Sequence, residues 1–120
     1  MESWRKKMNE FGLPDYVFDR IIEVLRRYPA IKSAKIFGSR AKGNYKRYSD
    51  VDIAIFADGD RDLSANVKDA LEDLYVIYKF DVAQYDKIGN PEMREHIDRV
   101  GLEILRIVEA GVENETVESG

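Results

Sequence analysis

Residues 38–53 read Gly-Ser-Arg-Ala-Lys-Gly-Asn-Tyr-Lys-Arg-Tyr-Ser-Asp-Val-Asp-Ile. Before them, Ala34 to Phe37 is a short apolar strand candidate that ends at Gly38-Ser39. A polar, basic, glycine-containing turn runs on to Ser49, and Arg40 to Lys42 within it fits a turn of helix. Asp50 to Phe56 reads as a second strand. Successive side chains of a strand alternate faces, so Asp50 and Asp52 point one way while Val51, Ile53 and Ile55 point into an apolar layer.

Outward from this centre the chain alternates helix and strand signals. Pro14 stands near a helix start with Asp15 in its first turn. Phe18, Ile21, Ile22 and Leu25 then follow at amphipathic spacing, and Pro29 stops the run. On the other side, Ala57 to Asp62 is a loop. Leu63 to Ile77 is a second helix with Val67, Leu71 and Leu74 on one face. Phe80 to Tyr85 is a third strand. Gly89-Asn90-Pro91 breaks the chain, and Pro91 opens a third helix to about Val100. Leu102 to Val108 is either a short strand or the end of that helix. This order predicts an α/β (α+β) fold, a small mixed sheet flanked by helices.

Asp50 and Asp52 are like charges on one face, and each raises the proton affinity of the other. A divalent cation resolves that conflict, and magnesium takes hard oxygen ligands of this kind. Asp81, between Phe80 and Val82, is an acid in an apolar strand, expected to be buried or half-buried and to need a partner. If its strand lies beside Asp50 to Phe56, all three carboxylates face one site. They could then hold two metal ions for an in-line displacement, with Asp81 placed to take a proton. Asp-x-Asp alone fits the wet face of an edge strand better than a metal site; Asp81 is what shifts the balance.

Gly38-Ser39 ends a strand and opens a turn where main-chain N–H groups and a hydroxyl can meet a phosphate. Gly38 and Gly43 have the separation of a P-loop, but Asn44-Tyr45 follows where Lys and Ser or Thr belong, so that motif fails. The chain of 120 residues fits one domain, and its net charge is −4. Yet Lys32, Lys35, Arg40, Lys42, Lys46 and Arg47 fall between Ala30 and Ser49 with no acid among them. A local basic stretch in an acidic chain suits a compact anion better than a duplex, which argues against nucleic acid as a partner. There is no cysteine, which excludes disulfides, thiolate metal sites and a cysteine nucleophile. No signal peptide and no run near the ~18 apolar residues of a membrane span is present, so the expected location is cytoplasmic, without membrane association.

Gly38-Ser39, ten residues, Asp50-Val51-Asp52 and a later-strand Asp81 together resemble the signature of the DNA polymerase beta-like nucleotidyltransferase superfamily. Within it the chain is similar to the minimal nucleotidyltransferases of prokaryotes, over roughly Gly12 to Arg106. The resemblance implies a nucleotidyltransferase fold. Residues 1–108 are expected to form the catalytic domain, and 109–120, with four glutamates and no base, are expected from composition to be a flexible acidic tail. The resemblance assigns Gly38 and Ser39 to the triphosphate, with Arg40, Lys42 and Ser49 as further nucleotide contacts. It assigns Asp50, Asp52 and Asp81 to two magnesium ions, manganese being an alternative, and Asp81 also to general base. The implied reaction moves a nucleoside monophosphate, AMP from ATP, to a hydroxyl. It implies a small all-helical partner, either a substrate-binding subunit or a HEPN toxin that the chain adenylylates or neutralises as an antitoxin, in a homo- or hetero-oligomer.

Overall fold

The computed structural model describes residues 8–107. The elements run α1 (Asp15–Arg26), β1 (Ile31–Phe37), α2 (Ser39–Lys42), β2 (Val51–Ala57), α3 (Ser64–Glu72), β3 (Phe80–Gln84), a 3-10 turn (Tyr85–Lys87), α4 (Pro91–Val100) and β4 (Leu102–Arg106). The expected acidic tail lies outside the described residues.

The four strands form one mixed sheet in the order β3-β2-β1-β4. β1 is antiparallel to both its neighbours, while β2 and β3 run parallel, joined by the α3 crossover. The expected α/β class, with a small sheet flanked by helices, is what the chain adopts. Of the two alternatives for the last apolar segment, the strand is realised.

The sheet has two unlike faces. Val51, Ile53 and Ile55 join Val17, Ile21 and Leu25 of α1 and Val67 and Leu71 of α3 in the main core. On the opposite face Phe37, Ala54 and Ile97 form a second, smaller core, with Phe56, Tyr85 and Val100 packed against it. Ile97 belongs to α4, so this helix covers only part of that face. The one acidic residue of β2, Asp52, opens on the same side, opposite Phe37 at the end of the second core.

Local chemistry explains the start of α4. Asn90 accepts the Glu92 N–H at 2.9 Å, and Pro91 takes the first helical position of α4. At α1 the most buried residues are Val17, Ile21, Val24 and Leu25. The expected stripe was therefore turned slightly, because Phe18 and Ile22 line its edge and are only partly buried. α3 stops at Glu72, short of the expected Ile77. Tyr75 lies at φ 56°, a left-handed conformation that a continuing helix cannot contain.

Ile53 is 0 % exposed at the centre of the main core. Ile53→Ala should cost about 2–5 kcal/mol in urea unfolding. A loss under about 0.5 kcal/mol, the range of surface changes, would contradict this packing.

Candidate active site

The site lies where β1 ends and β2 and β3 begin. In the antiparallel pair, Phe37 is the register partner of Asp52. In the parallel pair, Asp52 stands opposite Asp81. Partners in register share a face of the sheet. The two carboxylates are therefore neighbours, with Gly38 following directly on the other flank. Val51 N–H donates to the Lys79 carbonyl at 2.8 Å, which fixes the start of β2 against the start of β3.

Gly38 is required by space as well as by conformation. Its φ is 70°, and a Cβ built there would lie 2.2 Å from Asp52 Oδ2. Only a residue without a side chain lets the main chain pass this close to the carboxylate. α2 then turns once and ends at Gly43, φ 88°, so the backbone doubles back toward β2.

The carboxylates differ in setting. Asp50 and Asp81 are exposed, and Asp52 is half-buried between them. The exposure of Asp81 corrects the expectation of a buried acid: β3 is an edge strand, and Asp81 stands next to its first residue. Burial, reinforced by Asp81 and then Asp50, pushes the Asp52 carboxyl up to about 6, with Arg40 opposing the shift. Acids of like charge with only oxygen donors are the chemistry that suits a hard cation such as magnesium. Among the described residues no group of three or more His, Cys, Asp or Glu side chains is gathered closely enough to hold a metal ion, so the three aspartates expected to share one site do not converge as a set.

Two expected nucleotide contacts are engaged with the chain's own backbone, Arg40 in the interior and Ser49 in an exposed turn. Arg40 is 1 % exposed. Its guanidinium donates to the carbonyls of Phe11, Gly12, Arg47 and Ser49. It has no free edge for a phosphate, which corrects its expected role. Burial lowers its pKa, against the raising influence of Tyr78, Tyr45, Asp52 and Asp50. The Ser49 hydroxyl accepts the Lys46 N–H at 2.8 Å and closes the turn before Asp50. Lys42 is exposed at the end of α2. Sequence reading missed Gly12 and Tyr45. Gly12 has φ 74°, and a Cβ there would meet Tyr45 Cε1 at 2.2 Å. The signal for Tyr45 was faint, since a tyrosine between Asn44 and Lys46 looks like a surface loop.

A family model for Polymerase beta, Nucleotidyltransferase matches residues 19–109, which span the whole site. The chain belongs to this nucleotidyltransferase family. No curated protein matches the sequence. Among solved structures, this nucleotidyltransferase is similar to a chain of a toxin–antitoxin crystallised with AMP-PNP, with TM-score 0.62 and 22% identity over 72% of this chain and 70% of that one. It is similar to a chain from the complex of a tri-AMPylated Shewanella oneidensis HEPN toxin with an MNT antitoxin, with TM-score 0.58 and 18% identity over 74% and 69%. A third likeness is to a chain described as a minimal nucleotidyltransferase, with TM-score 0.56 and 25% identity over 73% and 89%. At the identities of the first two, the likeness is one of fold. No described helix is long and apolar enough to cross a membrane.

The folded pKa of Asp52, about 6, lies above its ordinary 3.8, so between these values the folded protein holds a proton that the unfolded chain releases. Metal-free stability should therefore fall as pH rises from about 4 to about 6, and stay lowered above that. Asp52→Asn removes the charge and should be more stable than wild type at pH 7 by on the order of 1 kcal/mol, after allowing for solvent screening. Urea unfolding at pH 5 and pH 7 measures this, and equal stabilities at pH 7 would contradict it.

Proposed function

We propose that the chain is a magnesium-dependent transferase that moves AMP from ATP to a hydroxyl on a separate helical protein. The observation that carries this reading is the register of Asp52 against Asp81, with the side-chain-free Gly38 beside them. It supports a site built to place oxygen donors close to a polyphosphate.

In this reading Asp50 and Asp52 hold magnesium, and Asp81 shares it. Magnesium when bound neutralises phosphate charge and orients the reacting oxygens. Gly38 and Ser39 receive the triphosphate through main-chain N–H groups and the hydroxyl. Exposed Lys42 adds positive charge at the mouth. Asp81 is open to solvent and so can be reached by an incoming hydroxyl, whose proton it accepts. The acceptor oxygen bonds to the α-phosphorus, the bond to the bridging oxygen breaks, and pyrophosphate leaves.

The acceptor is inferred from outside the site. The fold is shared with a chain found in a complex whose HEPN toxin carries three AMP groups. We therefore assign the acceptor hydroxyl to a HEPN-type partner, which makes the chain an antitoxin that acts by modification. Incubating the chain with ATP, magnesium and a purified HEPN partner should yield an AMP adduct on the partner, read by mass spectrometry. Asp81→Asn should slow its formation by roughly 10²–10⁴-fold. An adduct formed at the wild-type rate by Asp81→Asn would remove Asp81 as the base. Neutralisation of the toxin with no adduct would replace transfer by simple binding.

A further inference from the structure

We propose that Arg40 is a positioning residue, whose guanidinium fixes the Ser49 carbonyl and thereby the point at which Asp50 and Asp52 enter β2. This rests on the reading of the site given above, and it concerns how the chain holds that site in shape.

The geometry is specific. Arg40 Nε and Nη2 both donate to the Ser49 carbonyl, at 3.1 and 2.8 Å. Nη2 also reaches the Arg47 carbonyl at 3.1 Å. Nη1 donates to the carbonyls of Phe11 and Gly12 at 2.9 and 3.1 Å. These bonds match in number the five N–H donors of a guanidinium. Two segments far apart in sequence, 11–12 and 47–49, are thus tied to one side chain in the turn after Gly38.

The surroundings hold the fork in place. The guanidinium carbon lies 5.3 Å from the Tyr45 ring centroid and 5.1 Å from that of Tyr78. Tyr45 is in turn seated against Gly12, where no side chain fits. Ser49 N–H donates to the Lys46 carbonyl at 3.1 Å, and the Ser49 hydroxyl accepts from Lys46 N–H. The next residue but one, Val51, is pinned to Lys79. Asp50 therefore sits between two fixed points, one of which is set by Arg40.

A charge buried this deeply costs desolvation, and an apolar side chain could fill the same space. What an apolar side chain, or a lysine, cannot supply is five directed donors in one plane. That difference separates positioning from packing, and it makes Arg40→Lys the informative variant.

The experiment compares wild type, Arg40→Lys and Val67→Ala in the full chain. Val67 lies in α3, in the main core and outside the site, and its truncation supplies a loss of stability for comparison. Three quantities are measured: the melting temperature, amide hydrogen exchange, and the calorimetric affinity for AMP-PNP with magnesium. Arg40→Lys is expected to exchange faster in residues 11–13 and 46–51 and to bind AMP-PNP about tenfold or more weakly, as when a partner of a metal ligand is lost. Val67→Ala is expected to lose melting temperature while keeping its affinity and the protection of residues 46–51. Wild-type affinity in Arg40→Lys overturns the proposal, as does an equal weakening in Val67→Ala. If Arg40→Lys fails to fold, Tyr45→Leu, which removes one of the two rings near the guanidinium, takes its place with the same expectations. A folded wild type that binds no AMP-PNP overturns the reading of the site itself. In that case unchanged exchange at residues 46–51 in Arg40→Lys overturns the anchoring role independently.

Discussion

The pleat of β2 governs the rest of the molecule. Val51, Ile53 and Ile55 are fully buried against α1 and α3, which fixes the strand's orientation. Because neighbouring residues must then point the other way, Asp52 is forced onto the opposite face. A slip of one residue would bury the acid and expose the isoleucines, so the hydrophobic layer sets the register of the site as firmly as it sets the fold. Pairing then completes the arrangement: Asp81 arrives in register from β3 and the Phe37–Gly38 corner from β1.

The resulting cluster of negative charge is unfavourable in itself. Asp52 has lost part of its hydration and faces two more acids, which is why its proton is held so tightly. The fold keeps this arrangement by stiffening what surrounds it. Gly38 leaves room for Asp52 Oδ2, Val51 is tied to Lys79, and Arg40 is bonded to the Ser49 carbonyl. Like charge gathered in this way is found at functional sites.

Much of this was readable from the residues. The alternation within Asp50 to Phe56 marked the strand, which runs from Val51 to Ala57, its buried face and the side on which Asp52 lies. The Asn90-Pro91 pair marked the start of α4, and the glycine at position 38 pointed to a close approach of the main chain. Arg40 was misread because a charged residue in a basic loop looks solvated, and only the folded chain brings Phe11 and Gly12 to meet it. The exposure of Asp81 could not be read from its apolar neighbours, since whether a strand is central or at an edge depends on pairing. The end of α3 was missed for a similar reason. The helical pattern runs on through Leu74, and the left-handed Tyr75 that breaks it carries no turn signature.

Paramagnetic nuclear resonance tests the central claim most directly. Manganese, added with AMP-PNP to the full chain, broadens the amide signals of residues close to the ion. If Asp50, Asp52 and Asp81 hold the metal–nucleotide, broadening should centre on residues 38–39, 50–53 and 81. Broadening centred instead on the exposed acids Asp58, Asp60 and Asp62 would contradict the account, and so would none above that given by free manganese.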